Sequence, residues 1–244
     1  AEIRIDTMMR KDEVLEKARE GAAAGATEVS IVTSGLRPSK KEMETIVSAL
    51  KAETGMLRWA SLGVLEPEEL SELKAAGLDV FHHNLEAAPT AYKRLVTTRT
   101  YQDNLDAIVR AKEAGLKVCC GGIFGMGESW QERITLIDEI RSVGADKVPI
   151  NFLNPIKGTA LADQPILEAT EALKIIAIAR LMLIDKPINI AGGRELVLGQ
   201  LQPLIFMAGA TGILLGNYLT TGGRSKEDDL EMIRQLGMKL TPEL

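Results

Sequence analysis

Two adjacent cysteines, Cys119 and Cys120, are the only cysteines among the 244 residues, and a glycine-rich segment follows them directly. A thiolate is a nucleophile and a metal ligand, so the pair indicates metal chemistry or sulfur reactivity. Adjacent cysteines exclude the disulfide framework that is typical of small secreted proteins. The structural alternative is a small apolar side chain buried beneath a helix, and this is our interpretation of Cys120.

The glycine-rich segment, GGIFGMGES, has the composition of a turn that lies against a bound molecule. Its four glycines allow the backbone to approach a ligand closely. Ser129 and Glu132 have the spacing of a capping box, so we expect a helix to begin there. A strand, a glycine loop and a helix N-terminus together form a cradle for an anionic or nucleoside-containing ligand. A tight strand-to-helix turn without a ligand is the alternative.

The elements that position these residues repeat one unit, in which a helix ends at a glycine and a β-rich run follows. Seven strands are predicted, over Glu28–Ser34, Leu57–Leu62, Val80–Leu85, Lys117–Cys120, Lys147–Asn154, Pro187–Ala191 and Gly212–Leu215. Strands alternating with helices predict an α/β fold with a parallel sheet, and this length favours a (β/α)8 TIM-type barrel. We therefore expect a single barrel domain over residues 1–244, with seven βα units and the first strand missing.

Strand alternation predicts which side chains point into the barrel. If the apolar residues of each strand face the outer helices, the polar residues between them face inward. The residues assigned to the interior in this way are Ser30, His82, Asn84, Glu86, Cys119, Asn151 and Asn189. A barrel interior filled for stability alone would hold branched apolar residues, so this polar set predicts a buried ligand.

Composition limits the kind of ligand. The net charge of −5 and the pI near 5.3 come without a dense Lys/Arg block, which argues against nucleic acid and against an anionic membrane surface. No leader segment and no run of membrane-spanning length is recognisable, so we expect a cytoplasmic protein that binds small molecules.

Several segments of the sequence, in this order along the chain, resemble the biotin synthase family of radical S-adenosylmethionine enzymes. They are HHNLEAAPTAYKRLVTTRTYQDNLDAIVRAKEAGLKVCCGGIFGMGES, PINFLNPIKGTAL, IAGGRE and FMAGATGILLGNYLTT. The resemblance implies sulfur insertion into dethiobiotin by a 5′-deoxyadenosyl radical, inside a barrel that also holds iron-sulfur clusters. It further implies an electron donor such as flavodoxin or ferredoxin, and a homodimer. Alternatives are a sister radical enzyme, such as a hydrogenase maturase or a methylornithine synthase, and a non-catalytic barrel that binds S-adenosylmethionine.

The resemblance also assigns individual residues. Glu86 corresponds to the carboxylate that binds the cofactor ribose, although an internal ion pair with Arg99 is the alternative. Asn84 and Asn151 correspond to residues that hydrogen-bond the ureido ring of dethiobiotin, since a carboxamide offers the donor and the acceptor that a urea needs. His82 is interpreted as a satisfied interior histidine. The full set expected to bind S-adenosylmethionine is Asn84, Glu86, Arg99, Gly122 and Ile123.

Two departures from the family pattern concern the clusters. The CxxxCxxC motif that binds the radical-generating 4Fe-4S cluster is not in this chain, and the resemblance places it before Ala1. The auxiliary 2Fe-2S cluster takes three cysteines and one arginine, and of these only Cys119 is present. Ser30, Trp59 and Asn189 stand at the other three positions. We therefore expect Cys119 to be a catalytic residue and a ligand of an auxiliary cluster of different type, with Cys120 as a weaker candidate ligand.

Overall fold

The structure is a computed structural model that describes residues 9–23, 26–33, 35–52, 55–215 and 223–239. In chain order these residues form α1 Lys11–Ala23, β1 Glu28–Val32, α2 Lys40–Leu50, β2 Leu57–Ser61, α3 Pro67–Ala75, β3 Val80–His82, α4 Pro89–Leu95, α5 Tyr101–Glu113 and β4 Lys117–Cys119. They continue with β5 Gly122–Phe124, α6 Trp130–Ser142, β6 Val148–Phe152, α7 Ala169–Met182, β7 Ile188–Ile190, α8 Arg194–Leu198, a 3₁₀ turn Gly199–Leu201, α9 Leu204–Met207, β8 Gly212–Ile213 and α10 Lys226–Gln235. Among the helices in these described ranges, none combines the length and the hydrophobicity of a membrane-spanning segment.

The chain divides into two compact units. The first comprises Glu2–Asn84 and Thr98–Cys120, and the second comprises Leu85–Thr97 and Gly121–Leu244. The first unit contains a sheet in the order β1-β2-β3-β4, and the second contains a sheet in the order β5-β6-β7-β8. All the pairings are parallel, as the alternation of strands and helices predicts. The prediction that residues 1–244 form one domain stays a prediction.

The predicted helix starts are confirmed by their caps. The hydroxyls of Ser39, Thr100, Ser129 and Ser225 each accept a hydrogen bond from the main-chain N–H three residues later. At Ser39, Thr100 and Ser129, the acidic side chain three residues later also accepts a hydrogen bond from the N–H of the cap residue, and this completes a capping box. Pro67 occupies the first turn of α3, where its missing N–H costs nothing.

The predicted strands are present but shorter, and one prediction is wrong. Gly122–Phe124 was expected to lie in a glycine loop, yet it forms β5 and pairs with β6. The reason is close backbone packing: a Cβ on Gly121 would lie 1.8 Å from the Pro149 carbonyl oxygen, and a Cβ on Gly122 would lie 2.8 Å from that of Glu86. Gly121 and Gly122 therefore allow close contact between neighbouring backbone segments, in addition to any contact with a ligand. The predicted strand end Ser34 and the predicted helix end Gly25 lie outside the described residues.

Alternating burial in β3 and β7 agrees with the strand faces predicted for them. Phe81, His83 and Leu85 are at most 5% exposed, whereas the residues between them are only partly buried. In β7, Ile188 and Ile190 are likewise fully buried on either side of the partly buried Asn189. The apolar side chains of these two strands lie on the buried face together with His83, and His82, Asn84 and Asn189 lie on the opposite face.

Candidate functional site

In the first unit, the side chains of His82 and Cys119 lie on the same face of the sheet. The two residues are register partners in the parallel strands β3 and β4, and partners in register point the same way. Burial is the main cause that lowers the pKa of His82 to about 4, and the neighbouring His83 is a second cause. At neutral pH the face therefore presents an uncharged imidazole beside the side chain of Cys119.

His83 is fixed on the outer face of β3. Its Nε2 atom lies 3.0 Å from Oδ1 of the fully buried Asn104 in α5, and its ring stacks on Phe81 at a centroid distance of 6.1 Å. Burial lowers the pKa of His83, and the charge of Arg99 adds to this effect. Because His83 is anchored outward, the alternation of the chain directs His82 and Asn84 to the other face.

Both cysteines are buried, Cys119 at 4% exposure and Cys120 at 0%, and neither forms a disulfide. Across the described part of the chain, no group of three or more His, Cys, Asp or Glu residues is arranged to hold a metal ion. Iron-sulfur clusters are normally held by four ligands that are mostly thiolates. The described residues thus do not fit a complete cluster site, and Cys119 as a cluster ligand stays a prediction.

In the second unit, Glu86 adopts a strained backbone conformation against β5. Its φ of 66° makes it the only described residue other than glycine with a positive φ, and such a conformation costs on the order of 1–2 kcal/mol. The Glu86 carbonyl accepts a 2.8 Å hydrogen bond from the Ile123 N–H, and Glu86 forms a parallel bridge with Gly122. Strain held in this way is typical of functional sites, because it fixes the direction of one side chain.

Glu128, which sequence reasoning missed, holds the turn after β5. Its carboxylate accepts hydrogen bonds from the main-chain N–H groups of Gly125 at 2.9 Å and Met126 at 2.7 Å. It also accepts from Nε of the buried Arg133 at 2.8 Å, and Arg133 in turn bonds Glu171 at 3.2 Å. An acidic residue among glycines just before a helix cap was the available signal, since such a carboxylate satisfies the exposed amides of a tight turn.

Asn151 lies on β6 opposite Ile123, its register partner on β5. Its Oδ1 accepts a 3.0 Å hydrogen bond from the Gly192 N–H, and its Nδ2 donates to the Gly122 carbonyl at 3.4 Å. These two bonds fix which end of the carboxamide is oxygen and which is nitrogen. A carboxamide has two donor hydrogens and two acceptor lone pairs, so one donor and one acceptor remain for a ligand.

The sequence-predicted residues thus form two groups. The first unit contains Asn84, Arg99, Cys119 and Cys120, and the second contains Glu86, Gly122, Ile123 and Asn151. Glu86 and Arg99 lie in different units, and both the ion pair between them and the ligand-binding roles stay predictions. The second group is the better defined, because hydrogen bonds fix the main chain of Glu86 and the side-chain carboxamide of Asn151.

Comparison with protein families gives two matches that together cover most of the chain. Residues 2–140 match the Radical SAM superfamily, and residues 149–239 match the Biotin and Thiamin Synthesis associated domain.

Curated relatives give the same result. A biotin synthase of Syntrophus aciditrophicus is 43% identical over 93% of this chain and 71% of its own length. One of Thermotoga neapolitana is 45% identical over 94% of this chain and 83% of its own length.

Solved structures agree in fold. Methylornithine synthase superposes with a TM-score of 0.81 at 21% identity, covering 98% of this chain and 76% of that one. The FeFe-hydrogenase maturase of Carboxydothermus hydrogenoformans superposes with a TM-score of 0.77 at 19% identity, covering 97% and 59%. At these identities the likeness concerns the fold alone, which is that of the radical S-adenosylmethionine barrel enzymes.

Proposed function

Because the chain belongs to the biotin synthase family of radical S-adenosylmethionine enzymes, we propose that it inserts sulfur between two unactivated carbons of dethiobiotin. S-adenosylmethionine, when bound, supplies the hydrogen-abstracting radical that this superfamily uses. The work of the protein is to bind and orient the two small molecules and to exclude water from them.

The observation that supports the substrate best is the fixed carboxamide of Asn151. Its remaining donor and acceptor match a cyclic urea, which offers a carbonyl oxygen and an N–H side by side. The bonds to Gly192 and Gly122 set this orientation before any ligand arrives, so little conformational entropy is lost on binding. We assign Asn151 to the ureido ring. Asn84, in the first unit, is assigned by resemblance to the same ring and to the cofactor.

For the cofactor we propose Glu86, whose carboxylate can accept hydrogen bonds from both hydroxyls of a ribose. Ile123 is proposed at the adenine. Its N–H already donates to the Glu86 carbonyl, so its contact with adenine would use its carbonyl oxygen or its side chain. Gly122 keeps this backbone close to Glu86, and Arg99 is proposed as a further contact from the first unit.

The clusters and the partners complete the proposal. Membership of the superfamily implies a 4Fe-4S cluster, whose ligands are expected outside this chain, and we propose an auxiliary cluster on Cys119. We further propose a small electron-transfer protein such as flavodoxin or ferredoxin as reductant, a homodimeric assembly and a cytoplasmic location. Methylornithine synthase and the hydrogenase maturase share the fold, but nothing at the Asn151 site favours their reactions over sulfur insertion.

Calorimetry on the cluster-loaded enzyme tests the substrate assignment. Asn151→Ala should weaken dethiobiotin binding about tenfold or more, because a polar group of the ligand then loses its partner. Asn151→Asp keeps an acceptor for the Gly192 N–H but loses the donor, so it should weaken dethiobiotin binding similarly. Binding of S-adenosylmethionine is the internal control and should change little. Unchanged dethiobiotin affinity in both variants would remove Asn151 from the site, and a wild-type enzyme that binds S-adenosylmethionine but not dethiobiotin would overturn the proposed function.

A further inference from the structure

A completely buried ion pair links α8 to α10, the last helix among the described residues. Arg194 and Asp229 are both 0% exposed, and the guanidinium bonds both carboxylate oxygens, at 3.2 Å and 2.5 Å. The Gln202 amide oxygen accepts from the same guanidinium, and so does the Leu214 carbonyl, at 3.3 Å. Arg194 thus connects the start of α8 with α10 and with the residues that directly follow the 3₁₀ turn and β8.

Arg194 follows directly on a two-glycine turn that rests on β6. The Gly192 carbonyl accepts a 2.8 Å hydrogen bond from the Phe152 N–H. Gly193 has a φ of 81°, and a Cβ at this position would lie 2.0 Å from the Phe152 carbonyl oxygen. The turn therefore has almost no freedom to move on the side facing β6. The next residue in the chain is Arg194, whose side chain is fixed by the contacts described above.

The same turn orients Asn151, because the Gly192 N–H is the donor to its Oδ1. A continuous series of contacts therefore runs from Asp229 through Arg194 and Gly192 to the side chain proposed to bind substrate. A buried ion pair is weak evidence for stability, since two apolar side chains of similar volume often stabilise a core as well. A bidentate guanidinium–carboxylate pair does fix distance and angle, and it does so better than apolar packing.

We propose that Arg194 and Asp229 are positioning residues, which hold the Gly192 amide at the place where it orients the Asn151 carboxamide. That the Asn151 carboxamide is oriented toward a ureido ring rests on the proposed function. That the ion pair sets the orientation of this carboxamide is independent of the proposed function.

Single-residue hydrogen–deuterium exchange on the full, cluster-loaded enzyme tests the proposal. In Asp229→Asn, the Gly192 amide should exchange about tenfold faster or more, because its anchor at Arg194 is loosened. The Ala191 amide, one residue earlier, donates to the Ile150 carbonyl within the sheet at 2.9 Å and should exchange nearly as in the wild type. Equal acceleration at both amides would mean general destabilisation and would overturn the proposal. No acceleration at Gly192 would overturn it as well.

Two further variants make the result specific. Arg180→Lys is the matched control: this arginine also bonds several main-chain carbonyls, those of Leu183, Ile184, Lys186 and Gly209, and none of its bonds involves the glycine turn. Its effect should be equal at the Ala191 and Gly192 amides. If Asp229→Asn does not fold, Arg194→Met combined with Asp229→Leu keeps the volume without buried charge. The combined variant should show the same selective acceleration at Gly192, and its absence would contradict the proposal.

Dethiobiotin affinity separates this inference from the proposed function. Faster Gly192 exchange with unchanged dethiobiotin affinity would support the positioning role and contradict the substrate role of Asn151. Unchanged exchange, together with lost dethiobiotin binding in Asn151→Ala, would support the substrate role and overturn the positioning role. With both correct, Asp229→Asn should raise KM for dethiobiotin several-fold and leave the affinity for S-adenosylmethionine nearly unchanged.

Discussion

The carbonyl oxygen of Glu86 accepts a 2.8 Å hydrogen bond from the main-chain N–H of Ile123, and this bond anchors a carboxylate-bearing residue in the left-handed backbone region. Glycine would adopt this conformation without strain. A glutamate that bears the strain indicates that its side chain, rather than its backbone, is what the position needs.

This relationship predicts that two substitutions of Glu86 affect S-adenosylmethionine binding equally but affect the stability of the folded protein differently. Glu86→Ala should weaken S-adenosylmethionine binding by about 1.5–3 kcal/mol, the usual loss for a hydrogen bond to a charged group. Glu86→Gly should lose as much affinity, yet the folded protein should be about 1 kcal/mol more stable than Glu86→Ala, because glycine carries no penalty at positive φ. Calorimetry with S-adenosylmethionine and urea unfolding measure the two quantities. Wild-type affinity in either variant would exclude Glu86 from the cofactor site.

Much of this arrangement could be predicted because it follows from local rules. Strand alternation placed His83 outward and His82 inward, and the buried bond from His83 to Asn104 agrees with it. Capping spacing located the starts of α5 and α6 to the residue. These predictions succeed because they depend on the period of a strand and on the first turn of a helix, both of which are set within a few residues.

The failures have a different physical origin. The glycines of β5 predict a loop, because glycine has a low propensity for strands. The structure shows why glycine is needed there: the backbones of Pro149 and Glu86 approach Gly121 and Gly122 too closely for a side chain. The Arg194–Asp229 pair joins residues 35 positions apart, and no periodicity in the sequence relates them. Contacts of this kind are set by tertiary packing, so single-sequence reasoning does not reach them.

A second prediction concerns pH and the link between α4 and α6. The Glu132 carboxylate accepts hydrogen bonds from Arg94 and Thr90, each at 2.8 Å, and from the Ser129 N–H at 2.9 Å. These partners, Arg94 foremost, lower the pKa of Glu132 from 4.5 to about 2. A carboxyl whose pKa is lower in the folded state contributes stability above its unfolded pKa, and this contribution is lost as the pH falls from about 4.5 toward 2.

Urea unfolding of Glu132→Gln and wild type at several pH values measures this effect. At pH 7 the variant should be less stable by about 1 kcal/mol, a modest value because Arg94 is largely exposed to solvent. The difference should shrink steadily below pH 4. Glu231→Gln is the matched control, since Glu231 pairs with Arg234 within the exposed surface of one helix and should contribute little at any pH. A difference between wild type and Glu132→Gln that stays constant down to pH 2.5 would contradict the assignment.

The last prediction concerns Cys119 and uses Cys120 as its neighbour and control. Cys119 shares a face with His82, whereas Cys120 lies beyond the end of β4 and is 0% exposed, as a packed apolar side chain would be. The described residues provide too few ligands for a cluster, so a cluster on Cys119 requires ligands from elsewhere in the enzyme.

We expect the anaerobically reconstituted enzyme to hold more iron than one 4Fe-4S cluster accounts for. Cys119→Ser should remove that excess and abolish biotin formation, yet still allow reductive cleavage of S-adenosylmethionine. Cys120→Ser should keep the iron and lose only the stability that burying a hydroxyl costs, roughly 1–3 kcal/mol. Iron analysis and Mössbauer spectra of the three proteins provide the measurement. An enzyme that holds a single cluster, and still makes biotin as Cys119→Ser, would show that Cys119 is a small buried side chain and that the sulfur comes from another source.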